Sequence, residues 1–443
     1  MRIQLSDHFN YKRLLRYTLP SIIMLVFTSI YGVVDGFFVS NFAGKTPFTA
    51  VNFIMPFLMI LGSFGFMFGT GGGALIAKTL GEGKPRMAND LFSLIVYTSA
   101  VCGIVLAALG ILFIRPLTSM LGADGQLLED SVVYGRIILL AIPAYILQYE
   151  FQCLFATAGK PTLGLCVTMA AGLTNIVLDA LFVAVLHLSL CGAAAATAVS
   201  QYIGGIIPLI YFARPNKSLL RLGKTHFNGR WLKNTCINGS SELTSNISMS
   251  LVSMLYNFQL LKYAGEDGVA AYGVLMYVSL VFQAVFIGYS VGSAPVISYH
   301  YGAQNHDELK SLLKKSLILI GLFSVVMFAS ANLLAEPLSY IFVGYDDGLF
   351  RLTLRGFMIF SFSFLFSGHA IFSSSFFTAL NDGLVSAAIS FLRTFVFEVA
   401  AVLIFPLIWG IDGIWLSTVS VEVMAVAVAT VFLKVKRKKY RYY

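Results

Sequence analysis

Charged side chains are scarce in this sequence: 12% of its 443 residues, against 58% that are hydrophobic. A soluble domain carries about 25%, so the scarcity excludes an ordinary soluble enzyme or nucleic-acid-binding domain. Paired cysteines are lacking as well. Cys102, Cys153, Cys166, Cys191 and Cys236 are scattered through apolar segments without CxxC spacing, which argues against a disulfide frame or a cysteine-held metal. No HExxH or GxSxG motif occurs. Gly69-Thr70-Gly71-Gly72-Gly73 lacks the Lys-Ser/Thr that completes a phosphate loop, and Gly81-Glu82-Gly83-Lys84 has no such ending either. The expectation is no enzyme and no cofactor. Alternation of period two is also missing, which speaks against an outer-membrane barrel.

What the chain has instead is apolar runs near or above the roughly 20 residues that cross a bilayer. Twelve spans are expected: 14–39, 48–77, 91–113, 131–155, 163–186, 191–212, 234–261, 269–299, 316–334, 352–379, 385–408 and 411–433. The first follows Lys12, Arg13 and Arg16 but is too long for a signal segment and lacks a cleavage site, so it reads as a retained helix. Lys and Arg concentrate in one alternate set of connections, including Lys78, Lys84 and Arg86, the loop around 213–233, and the tail from Lys434 to Arg441. The other set holds only Lys45, Arg115, Arg136, Lys262, Arg351 and Arg355. That bias places both termini in the cytoplasm, with the chain multi-pass in the plasma (inner) membrane. The net charge of +9 then reflects orientation and contact with anionic lipid head groups, not nucleic acid.

The basic loop at 214–233 divides the chain into an amino-terminal lobe, 1–213, and a carboxy-terminal lobe, 234–443. A repeat at a constant displacement of 221 supports the division. Ala43-Gly44 meets Ala264-Gly265, Gly81 meets Gly302, Pro116-Leu117 meets Pro337-Leu338, Gly135 meets Gly356, Thr157-Ala158 meets Thr378-Ala379, and Thr197 meets Thr418. Halves with an even number of spans are related by an axis along the membrane normal, and a cavity between them opens to either face by rocking.

Polar groups inside the spans carry the chemistry. Asp179 lies in the apolar run from Leu173 to Ser200, with Asn175 four residues earlier on the same helix face. A central charge costs roughly 2.5–3.5 kcal/mol on insertion scales, which favours an ion or proton site over a passenger residue, although a helix-packing polar pair is the plain alternative. Asp35 follows Pro20 in the first span. Thr197 is placed to add an oxygen to whatever Asp179 holds, unless it bonds back to its own helix. Glu242, Glu150, Glu398 and Glu422 are further acids within spans. Glu422 shows no evident partner, and Glu398 stands five residues from Arg393, off its face. At the repeat displacement Asp35, Asn175 and Asp179 correspond to Tyr256, Val396 and Ala400, so the polar cluster is expected in the first lobe alone.

These residues resemble the MATE (multidrug and toxic compound extrusion) family. The likeness rests on Leu19-Pro20 followed by Asp35, Gly81 after span two and Gly159 after span four. It continues with Asn175-x3-Asp179, Cys191-Gly192-Ala193-Ala194-x-Ala196-Thr197-x2-Ser200, and Tyr301-Gly302-Ala303 after span eight. The resemblance implies an all-α membrane protein of twelve helices in two pseudo-symmetric six-helix lobes. It implies export of small organic cations or other amphipathic compounds by a monomer, in exchange for Na⁺ or H⁺. The cation site carries over to Asp35, Asn175, Asp179 and Thr197. Glu242 matches the span-seven acid of the NorM branch, whose span-ten aspartate has only His369 near its place here. Glu150, Glu242 and His369 are thus the substrate or second-site candidates. The rival expectation is a flippase of lipid-linked oligosaccharide or peptidoglycan precursor, which would want several cavity cations where only Arg393 is expected to be buried.

Overall fold

The computed structural model describes residues 3–39, 42, 45–120 and 122–442; Arg2, Ala43 and Gly44 lie outside the described residues. Among the described residues every regular element is helical. In chain order they are α1 Tyr11–Phe38, α2 Lys45–Gly81, α3 Pro85–Met120, α4 Gly125–Thr157, α5 Pro161–Asp179, α6 Ser189–Ala213 and α7 Gly229–Gly302. Then follow α8 His306–Val343, α9 Asp347–Ser361, α10 Phe364–Ala379, α11 Gly383–Phe391, α12 Glu398–Trp409 and α13 Ile411–Tyr440. π-helical turns follow α5, at Ala180–Val185, and join α11 to α12, at Leu392–Phe397.

With no water in the hydrocarbon layer to satisfy backbone groups, a helix that bonds them internally is the economical crossing. The 74-residue α7 turns at Gly265 (φ 64°, ψ −151°), a conformation that only glycine adopts cheaply, and so crosses twice. Helices α9 and α10 form one crossing bent by 50° at a short break. With α5 and α11–α12 each continued through its π turn, the crossings number twelve.

The lobes are pseudo-symmetric. A methyl group built on Gly81 would collide with the Tyr299 carbonyl oxygen, and one on Gly302 with the Lys78 carbonyl oxygen. Tyr299 and Gly302 are Lys78 and Gly81 displaced by 221, so one helix crossing is made twice about a two-fold axis. The pairing of Gly71 with Gly239 returns as that of Gly292 with Thr18, whose Cα would lie 3.0 Å from such a methyl. Small residues let these backbones approach across the lobe boundary. Each lobe also has its own apolar clusters: Ile54, Ile142 and Val183 in the first, Leu260, Phe364 and Trp415 in the second.

Both termini and the central linker gather at one end. The Phe9 N–H donates to Glu308 Oε1 at 2.9 Å, and His8 Nδ1 lies 2.6 Å from Glu308 Oε2. The linker docks on the first lobe, with its Leu219 and Arg221 N–H groups donating to the Ala158 carbonyl and Asn89 Oδ1. At the chain's end the Tyr440 hydroxyl donates to Asp382 at 2.5 Å, with Lys439 and Lys436 at 3.5 and 3.7 Å. Burial alone would raise the Asp382 carboxyl, but the Tyr440 hydroxyl and the two ammonium groups outweigh it and hold it below the usual carboxylate range.

Candidate functional site

Gly172 sets the geometry. Its missing side chain leaves room for the Phe27 and Tyr31 rings of α1, which would lie 2.6 and 2.7 Å from a methyl group there. The next turn of α1 carries Asp35 and the following turns of α5 carry Asn175 and Asp179, so close packing brings the acids level. Asp35 is 8% exposed, Asn175 2% and Asp179 0%. The two carboxyl groups are within hydrogen-bond reach of each other, and Thr197 reaches Asp35. Asn175 Nδ2 donates to Thr197 Oγ1 at 3.5 Å. All four expected residues therefore converge, from α1, α5 and α6.

No donor satisfies either Asp179 oxygen or Asp35 Oδ1 within the described residues. Two carboxylates side by side in a dry site repel each other, and a proton or small cation between them removes both the repulsion and the unmet acceptors. Sequence reasoning missed the tyrosines around the pair. Tyr31 is one turn before Asp35; Tyr134 is 1% exposed and faces both acids; Tyr277 approaches Asp35 from the second lobe. Only the four-residue spacing of Tyr31 from Asp35 signalled any of this beforehand.

The other candidates lie elsewhere. Glu150 is fully buried inside the first lobe and accepts a hydrogen bond from the Ser99 hydroxyl. Glu242 lines a pocket between the lobes together with Thr70, Cys153, Thr157, Ser375 and Thr378. His369 Nε2 lies 3.1 Å from Thr430 Oγ1, between α10 and α13.

One expectation is overturned: the second lobe has a polar cluster of its own. The Tyr256 hydroxyl lies 2.6 Å from Glu398 Oε2, 2.9 Å from Ser417 Oγ and 3.0 Å from Thr418 Oγ1. Tyr256 and Thr418 are the repeat partners of Asp35 and Thr197. Glu398 was not tied to this cluster because the constant displacement sets Asn175 and Asp179 opposite Val396 and Ala400. Arg393 and Glu398, expected on different faces, interact with each other. Arg393 lies inside the Leu392–Phe397 turn and Glu398 just after it, and the wider i→i+5 winding brings such residues round to one side. Glu422 has a partner after all: Arg393 grips it through Nε at 2.9 Å and an Nη at 2.6 Å.

The family described as MatE matches residues 20–181 and again 243–404, two copies that together span most of the chain. The chain belongs to the MatE family. Among its relatives is the multidrug export protein MepA of Staphylococcus haemolyticus, 25% identical over 371 residues that cover 81% of this chain and 80% of that protein. A crystal structure of MATE in complex with MaL6 shares the fold with a TM-score of 0.93 at 19% identity, covering 98% of both chains. The same figures hold for an outward-facing conformation of a multidrug resistance MATE family transporter of the MOP superfamily. The matched proteins are transporters, not enzymes, and this MatE chain is a polytopic membrane protein built as they are.

Proposed function

We propose that this MatE protein is a secondary antiporter that exports organic cations or other amphipathic compounds in exchange for entering Na⁺ or H⁺. The observation that carries the reading is the approach of Asp35 to Asp179, two buried acids from different helices with unmet oxygens. Asn175 and Thr197 supply neutral oxygens for a Na⁺ cage, or fix the carboxyl groups for H⁺. Uptake of one positive charge there relieves the repulsion between α1 and α5 and so favours a different packing of the first lobe. Glu242, in the interlobe pocket, supplies negative charge for a cationic substrate. The lobes, 1–213 and 234–443, rock about the boundary marked by the glycine crossings, and the end bearing both termini faces the cytoplasm. The likeness to the multidrug export protein MepA supports multidrug compounds as the substrate class. Pairing of Arg393 with Glu422 takes up the within-span cation that a flippase would have used.

Reconstituted liposomes with Na⁺ and pH gradients imposed separately test the reading. Wild-type protein should drive efflux under one of them. Asp35→Asn and Asp179→Asn should insert normally and lose gradient-driven efflux under both. Unchanged transport in either variant would overturn the coupling role.

A further inference from the structure

In the second lobe, Glu398 stands where a carboxyl group can change its protonation without any heavy atom moving. We propose that Glu398 is a second, separate proton-binding site, served by the hydroxyls of Tyr256, Ser417 and Thr418. The hydrogen-bond inventory carries this. Ser417 donates its own proton to the Ile414 carbonyl at 2.6 Å, which leaves its oxygen free to accept. Tyr256 has one proton and two kinds of neighbour. With Glu398 ionised, the Tyr256 O–H donates to Oε2 across 2.6 Å, and Tyr256 accepts from Thr418. With Glu398 protonated, its new O–H donates to the Tyr256 oxygen, and the Tyr256 O–H turns to Ser417 Oγ at 2.9 Å. Every proton named has an acceptor in both states, a property that a purely structural buried acid does not need.

The charge balance favours a proton over a metal ion. The groups facing Glu398 are Tyr256 and Tyr272 from α7, Arg393 across the π turn, and Glu422 from α13; Glu242 of α7 faces Arg393 in turn. Arg393 matches the charge of Glu422 through its two N–H bonds, so Glu398 holds the surplus negative charge. A Na⁺ placed there would sit beside the guanidinium, whereas a proton sits on the carboxyl itself. Glu398 is half-buried while Tyr256 and Ser417 are buried, which gives a proton a route to one side of the carboxyl. Both lobes thus carry an acid at the edge of a π turn: Asp179 just before one, Glu398 just after the other.

The test is infrared difference spectroscopy of the full chain in lipid nanodiscs between alkaline and acidic pH. Acidification should produce a carboxylic C=O stretching band that is lost in Glu398→Gln and kept in Asp35→Asn. In Tyr256→Phe, which removes one hydroxyl and should fold where a charge-changing variant does not, the band should move to higher wavenumber. A spectrum unaltered in both Glu398→Gln and Tyr256→Phe overturns the proposal. So does removal of the band by Na⁺ at constant pH, which would make the site one for a metal cation. The first-lobe reading stands or falls separately, on transport by Asp35→Asn.

Discussion

Arg393 and Glu422 meet inside the second lobe, their side chains 16% and 4% exposed, through two parallel N–H bonds of the kind a planar guanidinium makes to a carboxylate. Bringing two charges out of water costs more than a modest contact returns, so such a pair contributes little against a well-packed apolar pair. Removing one partner alone is another matter, because the survivor is left buried and unmatched; breaking a buried pair costs about 3–5 kcal/mol. Glu422→Leu should therefore destabilise strongly, and Arg393→Met with Glu422→Leu should recover much of the loss. Equilibrium unfolding in mixed micelles measures the cycle, and two single variants no worse than the double would show that the pair is not desolvated. None of this was readable from residue spacing. On a regular 3.6-residue helix Arg393 turns away from Glu398, and nothing about Glu422 alone points to a residue 29 positions earlier. By contrast Asp35, Asn175, Asp179 and Thr197 were legible because a polar side chain in an apolar run carries its own energetic argument.

At the scale of the element, the crossings were legible because each is an uninterrupted apolar run, and hydropathy needs no partner to be seen. The irregularities were not. A π turn needs one extra residue between bonded groups and no distinctive composition, so Ala180–Val185 and Leu392–Phe397 left no trace, yet they place Asp179 and Glu398. A displacement of 221 joins Gly81 to Gly302, while the two MatE matches, starting at 20 and 243, are 223 apart. Where the register held, it exposed the glycine crossing between α2 and α7. The atom opposing Gly81 is the Tyr299 carbonyl oxygen, part of a helix backbone that cannot swing aside as a side-chain tip would. Gly81→Val should thus pry the lobes apart at this end. In a cysteine-free background carrying Ser375→Cys in the interlobe pocket, maleimide labelling should speed up several-fold and efflux should fall. Labelling at the parental rate would mean that the crossing tolerates the bulk and does not gate the pocket.

Across the whole molecule, two straps cross between the lobes at the end that carries the termini. The linker leaves α6 but stays on the first lobe, where Leu220 and Leu222 are buried beside Phe92 and Phe212. The amino-terminal segment leads into α1 of the first lobe but docks on the second. Its Leu5 and Phe9 are buried among Leu309, Leu312 and Tyr442, and the Lys315 ammonium donates to the Phe9 carbonyl at 2.5 Å. The Phe9 ring is edge-on to Tyr17 at 5.9 Å and to His300 at 6.4 Å. If the lobes separate at this end, the segment before α1 must leave its seat, so its burial stabilises the closed arrangement relative to the open one. Truncating a buried Phe to Ala costs about 3–5 kcal/mol, and each 1.4 kcal/mol or so of that cost borne by the closed state alone shifts the two populations tenfold. Phe9→Ala should therefore raise the open population by tenfold or more. Spin labels at Lys224→Cys on the docked linker and Lys314→Cys on the second lobe report it as a longer distance. The helices of each lobe should keep their stability, because only the strap's seat is lost. An unchanged distance distribution would make the segment a passenger on the second lobe and leave contacts such as the glycine crossings to hold the two halves together.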